Sequence, residues 1–169
     1  MGGRGFFLAL SAEVLASQSK PGDGWDKSSV EQQSRRGIYI YLKRTLGVPM
    51  LEAFDAPVFD TPAAQRQSTT IAPQSLILLN SDFVHEHSAA FATRISRDVG
   101  STGDWIERAL QLALCRSATD AERQTLHDFY QRRRAEILEL NPAANDADQQ
   151  ALAECCRLIF NLNEFLYID

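Results

Sequence analysis

The chain has 169 residues, of which 44% are hydrophobic and 23% charged, and a formal net charge of −5. That length and apolar content suit a folded domain with a sizeable core and exclude a disordered polymer. The acidic balance excludes a nucleic-acid partner, because phosphate binding needs a basic footprint, and nothing in the composition calls for direct insertion into a membrane.

The opening run MGGRGFFLAL is apolar but too short for an export leader. A polar, turn-rich stretch from Ser17 to Trp25 follows, as expected of a linker whose tryptophan pins it to a neighbour. This places a linker, or the remnant of an upstream domain, at 1–30 and a helical domain at 31–169, so that the chain is expected to be a fragment that begins inside a larger unit.

In SRRGIYIYLKRTLG, residues Ile38, Tyr41, Leu42, Thr45 and Leu46 fall at i, i+3, i+4, i+7 and i+8, the stripe of a helix facing a core. Arg36, Lys43 and Arg44 gather on the opposite side, giving either a solvated face or a docking surface for an acidic partner. Gly47, with positive φ, and Pro49 are expected to end this helix. An irregular loop then spans roughly residues 47–72, with turns at Phe54-Asp55-Ala56-Pro57 and Asp60-Thr61-Pro62. Within it the Asp55 carboxylate is expected to accept backbone N–H bonds and to pair with Arg35, Arg36 or Arg66, while Phe54 enters the core.

Thr69-Thr70-Ile71-Ala72-Pro73 reads as the entry to a second helix running to about Arg97. Its inner stripe is expected to hold Leu76, Leu79, Phe83, Ala90 and Phe91, with the polar Asn80 and His87 in apolar company. His85 and His87 diverge by about 200° on a helix and cannot share one ion. Three further helices are signalled. Asp104–Cys115 carries Trp105, Ile106, Ala109, Leu112 and Ala113 on one side. The next opens on the capping-box pattern Thr119-x-x-Glu122 and carries Leu126, Phe129, Tyr130 and Ile137, with Arg133 reaching a carboxylate. The last, from about Asp146 to Leu162, centres its stripe on Cys155, with Cys156 turned to the edge. No strand alternation appears, so the fold class is all-α, an array of about five amphipathic helices.

The segments RRGIYIYLKR, LEAFDAP, the run from Arg66 to Thr70, APQSLILLN and NLNEFLYID together resemble the domain of unknown function 1553, the planctomycete-type C-terminal domain. The resemblance implies a place at the end of large exported bacterial proteins, in the periplasm or cell envelope, beside cytochrome c-like domains. The haem of such proteins would belong upstream, since Cys115, Cys155 and Cys156 form no CxxC or CxxCH, and no cofactor or metal is expected in this chain.

Two readings of function follow. One is a non-catalytic module that docks onto upstream domains or a protein partner through Arg35, Arg36, Lys43 and Arg44, and that self-associates through the surface so exposed. The other is an unrecognised enzyme or sugar-binding site centred on 54–87, with Asp55, Arg66, Gln74, Asn80 and His87 as its polar groups.

Overall fold

The computed structural model describes residues 3–57, 72–100 and 104–167. The helices are α1 (Ala12–Ala16), α2 (Val30–Gln33), α3 (Pro49–Ala53), α4 (Ala72–Leu79), α5 (Asp82–Val99), α6 (Trp105–Leu114), α7 (Asp120–Leu140), α8 (Ala147–Phe160) and α9 (Asn163–Leu166), with a 3-10 turn at Gly37–Tyr39. Among the described residues the only β features are two isolated bridges, so the chain is all-α. It divides into two compact units, Met1–Gln74 and Ser75–Asp169.

The first unit corrects the reading of residues 34–46. Ile38, Tyr41, Leu42, Thr45 and Leu46 do not share a helix face: after the 3-10 turn the backbone extends, and Ile40 bridges Phe6 in parallel. Phe6 donates its N–H to Tyr39 O at 2.9 Å, and Tyr41 donates to Phe6 O at 2.7 Å. The alternating β-branched and aromatic residues of IYIY favour extended backbone, and Gly37 weakens a helix there, so a distant pairing partner outcompetes the helical register. Residues 3–30, expected as a linker or the remnant of an upstream domain, fall within this unit, with Phe6 as their buried residue. Phe6 is 2% exposed, the Phe7 ring lies tilted 4.6 Å from that of Tyr41 and edge-to-face 5.4 Å from that of Trp25, and the Trp25 indole donates to Leu8 O.

Pro49 begins a helix instead of ending one. It stands in the first turn of α3, where its missing N–H costs nothing. Gly47 does not take the positive φ expected of it, and the nearest neighbour a Cβ would meet there is the mobile carboxylate end of Glu52. The long loop expected at 47–72 is thus helical over Pro49–Ala53, and its remainder from 58 to 71 lies outside the described residues.

In the second unit α8 is the central element, packed against α5, α6, α7 and α9. The core joins Ala92 and Ile95 of α5, Ile106, Ala109 and Leu110 of α6, and Leu152, Cys156 and Ile159 of α8, with Leu126 and Tyr130 of α7 partly buried against it. α6, α7 and α8 lie within a residue or two of the positions read from their caps. The Thr119 hydroxyl accepts from Glu122 N, and the Glu122 carboxylate accepts from Thr119 N, completing the capping box.

The segment expected as one helix from about residue 69 to 97 is two, since Asn80 and Ser81 interrupt it. The break resets the phase. Val84, Ser88, Ala92 and Ile95 form the buried face of α5, whereas Leu76, Phe83 and Ala90, expected inside, are exposed. Cys156 is also buried, not at an edge, because α8 is covered on more than one side.

Candidate functional site

The residues singled out from the sequence fall in both units. In the first, the Arg35 guanidinium lies 4.3 Å from the centre of the Tyr39 ring and donates to Arg4 O. Lys43 Nζ donates to Asp23 O. Arg36 and Arg44 are exposed. Gln74 is 2% exposed and donates its side-chain N–H to Ala53 O at 2.9 Å, a bond that satisfies a buried amide and ties α4 to the end of α3.

Asp55 holds the end of α3 through its backbone. It adopts φ +58°, and its N–H bonds to Glu52 O while that of Ala56 bonds back to Leu51 O, the paired bonds of a Schellman cap. Glycine fits such a left-handed position best, Asp and Asn tolerate it, and alanine is strained there by about 1 kcal/mol. Asp55→Ala should therefore lower the unfolding midpoint, and Asp55→Gly should lower it less. If the glycine variant loses as much as the alanine variant, the carboxylate and not the backbone holds the turn.

In the second unit Asn80 stands exposed at the break between α4 and α5, not in a buried network. His87 is exposed as well: its ring stacks on Phe83 with centroids 4.0 Å apart, and its Nδ1 lies 2.8 Å from Phe83 O. Arg66 lies outside the described residues.

Sequence spacing missed the ion pairs that join the helix ends of this unit. Arg116, just past α6, donates to both oxygens of Glu122 on α7, at 2.7 and 3.0 Å, and to both oxygens of Glu164 on α9, each at 2.7 Å. These bonds, with the capping bond from Thr119, pull the Glu122 carboxyl down to about 2. Arg123 reaches Asp104 and Glu107, and Glu107 also accepts from Ala118 N, which lowers its carboxyl from the ordinary value. Arg133 reaches a carboxylate as expected, that of Glu136 one turn along. The pairs made by Arg116 and Arg123 could not be read from spacing, because their partners lie on other helices.

Two open clefts flank α8. One, of about 370 Å³, is lined by Ser96, Trp105, Tyr130, Asp148 and Gln149 above Leu152. In it Asp148 Oδ1 accepts from Tyr130 OH at 2.7 Å and from Arg134 Nε at 2.6 Å. Burial and the bond to Asp148 raise the Tyr130 hydroxyl from its ordinary 10.0 to about 12, while Tyr130 and Arg134 hold the Asp148 carboxyl below its ordinary value. The other cleft, of about 320 Å³, runs between α5 and α8 past His85, Thr93, Gln149 and Arg157. Burial pushes the Cys155 thiol up to about 12 and the Cys156 thiol higher still, so neither is a thiolate nucleophile near neutral pH.

A family model described as PSD1, protein of unknown function (DUF1553), matches residues 4–130. The chain belongs to this family. The matched residues take in the first unit from Arg4 onward and the second as far as Tyr130, so that residues 4–30 are part of the family pattern; NLNEFLYID lies beyond the match. No curated protein and no solved structure matches the chain.

Among the described residues no three His, Cys, Asp or Glu side chains are grouped to hold a metal ion, and no helix is long and apolar enough to cross a membrane. The purified chain should show no Soret band and bind no stoichiometric metal; one zinc per chain by elemental analysis would contradict this.

Proposed function

We propose that the chain is a non-catalytic helical module that completes or docks onto a larger exported, cytochrome c-associated bacterial protein. The observation that carries this reading is the edge at residues 36–44. Ile38 is 84% exposed, Tyr41 43% and Leu42 40%. Single surface hydrophobes are ordinary, but three exposed within five residues supply apolar surface of the kind that an interaction site would use. Exposed Arg36 and Arg44 bracket it, and neither pairs with a carboxylate among the described residues. An apolar centre between two guanidinium groups suits a partner with an apolar patch flanked by Asp or Glu, where charge steers the encounter and burial holds it.

The residues matched to the family include this same edge. The partner in this reading is an upstream domain of the parent protein or a separate acidic envelope protein, with the chain in the periplasm or cell envelope, and the bare edge lets isolated copies self-associate. Tagged wild-type chain and the Arg36→Glu/Arg44→Glu variant should be compared as bait on envelope extracts of the source cells. The wild type is expected to retain a cytochrome c-domain polypeptide, seen by its haem absorbance, and the variant to lose it. Equal retention by both would contradict a role for this edge.

A further inference from the structure

We propose that the cleft formed by α5, α6, α7 and α8 binds a neutral polyhydroxylated ligand, a sugar or related polyol, at a site separate from the docking edge. Its volume, about 370 Å³, falls in the range of small-molecule sites. The polar groups are already oriented by one another. Gln149 accepts from Ser96 Oγ at 3.0 Å and donates to Thr93 Oγ1 at 3.2 Å, which fixes its amide plane. The Tyr130 hydroxyl and Arg134 both bond to Asp148 Oδ1, which leaves Asp148 Oδ2 without a partner among the described residues. The phenolic oxygen of Tyr130 and the hydroxyl oxygen of Ser96, each already donating, keep their acceptor lone pairs.

The charge balance selects the ligand. Arg134 on Asp148 offsets the carboxylate, so a free cation gains little in displacing it and a free anion meets the remaining carboxylate oxygen. What the cleft offers is an excess of neutral or neutralised acceptors, the complement of a ligand that carries many O–H donors. Trp105, its ring 5.4 Å from that of Tyr130, and Leu152 add the apolar surface on which the C–H face of a sugar packs. No covalent step is involved: nothing in the cleft is a nucleophile poised for one.

The test uses the full chain carrying Trp25→Phe, which leaves Trp105 as the remaining indole, since the sequence holds two tryptophans. Its emission is titrated with D-glucose, N-acetyl-D-glucosamine and myo-inositol, and with choline and inorganic phosphate as charged controls. A saturable change with at least one neutral probe and none with the controls is expected. Asp148→Asn and Gln149→Ala should each weaken that binding about tenfold, equivalent to about 1.4 kcal/mol, with far-UV circular dichroism unchanged. No saturable response to any neutral probe, a preference for choline or phosphate, or undiminished binding by both variants would overturn the proposal. Loss of envelope-protein capture would not bear on it, because Arg36 and Arg44 line no part of this cleft.

Discussion

Ile95→Ala should destabilise the second unit by about 2–5 kcal/mol, the cost of removing a large aliphatic side chain from a site that cannot collapse. Ile95 is 0% exposed and belongs to the cluster built by α5, α6 and α8. Deleting its outer carbons leaves a void lined by side chains from several helices at once. The control is Leu140→Ala near the end of α7, where the side chain is 89% exposed and the change should stay within about 0.5 kcal/mol. Urea unfolding followed by circular dichroism distinguishes the two. Equal losses would mean that the α5–α8 junction is not the core.

A second large effect should appear at alkaline pH. Burial raises the Cys155 thiol from its ordinary 9.0 to about 12, so across that interval the folded chain keeps a proton that the unfolded chain has lost. Stability is fully present below pH 9 and falls as pH rises through the window. Each tenfold difference in proton affinity corresponds to about 1.4 kcal/mol, so Cys155 alone accounts for a loss on the order of 4 kcal/mol. Cys156 adds to it in the same direction, as does Tyr130 between 10.0 and about 12. Replacing both cysteines by alanine should flatten this limb, although it lowers stability at neutral pH. An alkaline limb that keeps its slope in the double variant would show that the thiols are not the groups responsible. The acid limb has the opposite sign. Glu122, depressed from 4.5 to about 2, stabilises above pH 4.5, and that contribution is lost as pH falls through the window. It should be shallow, because exposed ion pairs are screened by solvent.

The second unit was largely legible in the sequence because its signals are local. A capping box needs only Thr119 and Glu122, and Asn141-Pro142 ends α7 without reference to any other part of the chain. Legibility failed where distant residues decide. The spacing of Ile38, Tyr41, Leu42, Thr45 and Leu46 satisfies a helix, yet the backbone at Tyr39 and Tyr41 pairs with Phe6, and no local pattern announces that pairing. The face of α5 was misjudged for a related reason. Two residues at Asn80-Ser81 interrupt the helix, and every position beyond them rotates relative to a continuous count, so Phe83 and His87 turn outward while Val84 and Ser88 turn in.

Of the candidate polar groups, Asp55 and Gln74 prove to be joints of the first unit, one by backbone conformation and the other by a buried amide bond. The cleft containing Trp105, Tyr130, Asp148 and Gln149 gave no sequence signal at all, because it draws single residues from different helices and matches no spacing motif. Sequence likeness carried the family more securely than it carried any site.

Photo-crosslinking from position 38 tests the docking account most directly. A benzophenone amino acid replaces Ile38 in the full chain, the source cells are irradiated intact, and the adduct is identified by mass spectrometry. The account predicts one dominant adduct, either to the upstream part of the same polypeptide or to an acidic cytochrome c-domain protein, lost in the Arg36→Glu/Arg44→Glu background. Diffuse labelling of unrelated proteins, or a single adduct that survives both charge reversals, would contradict it.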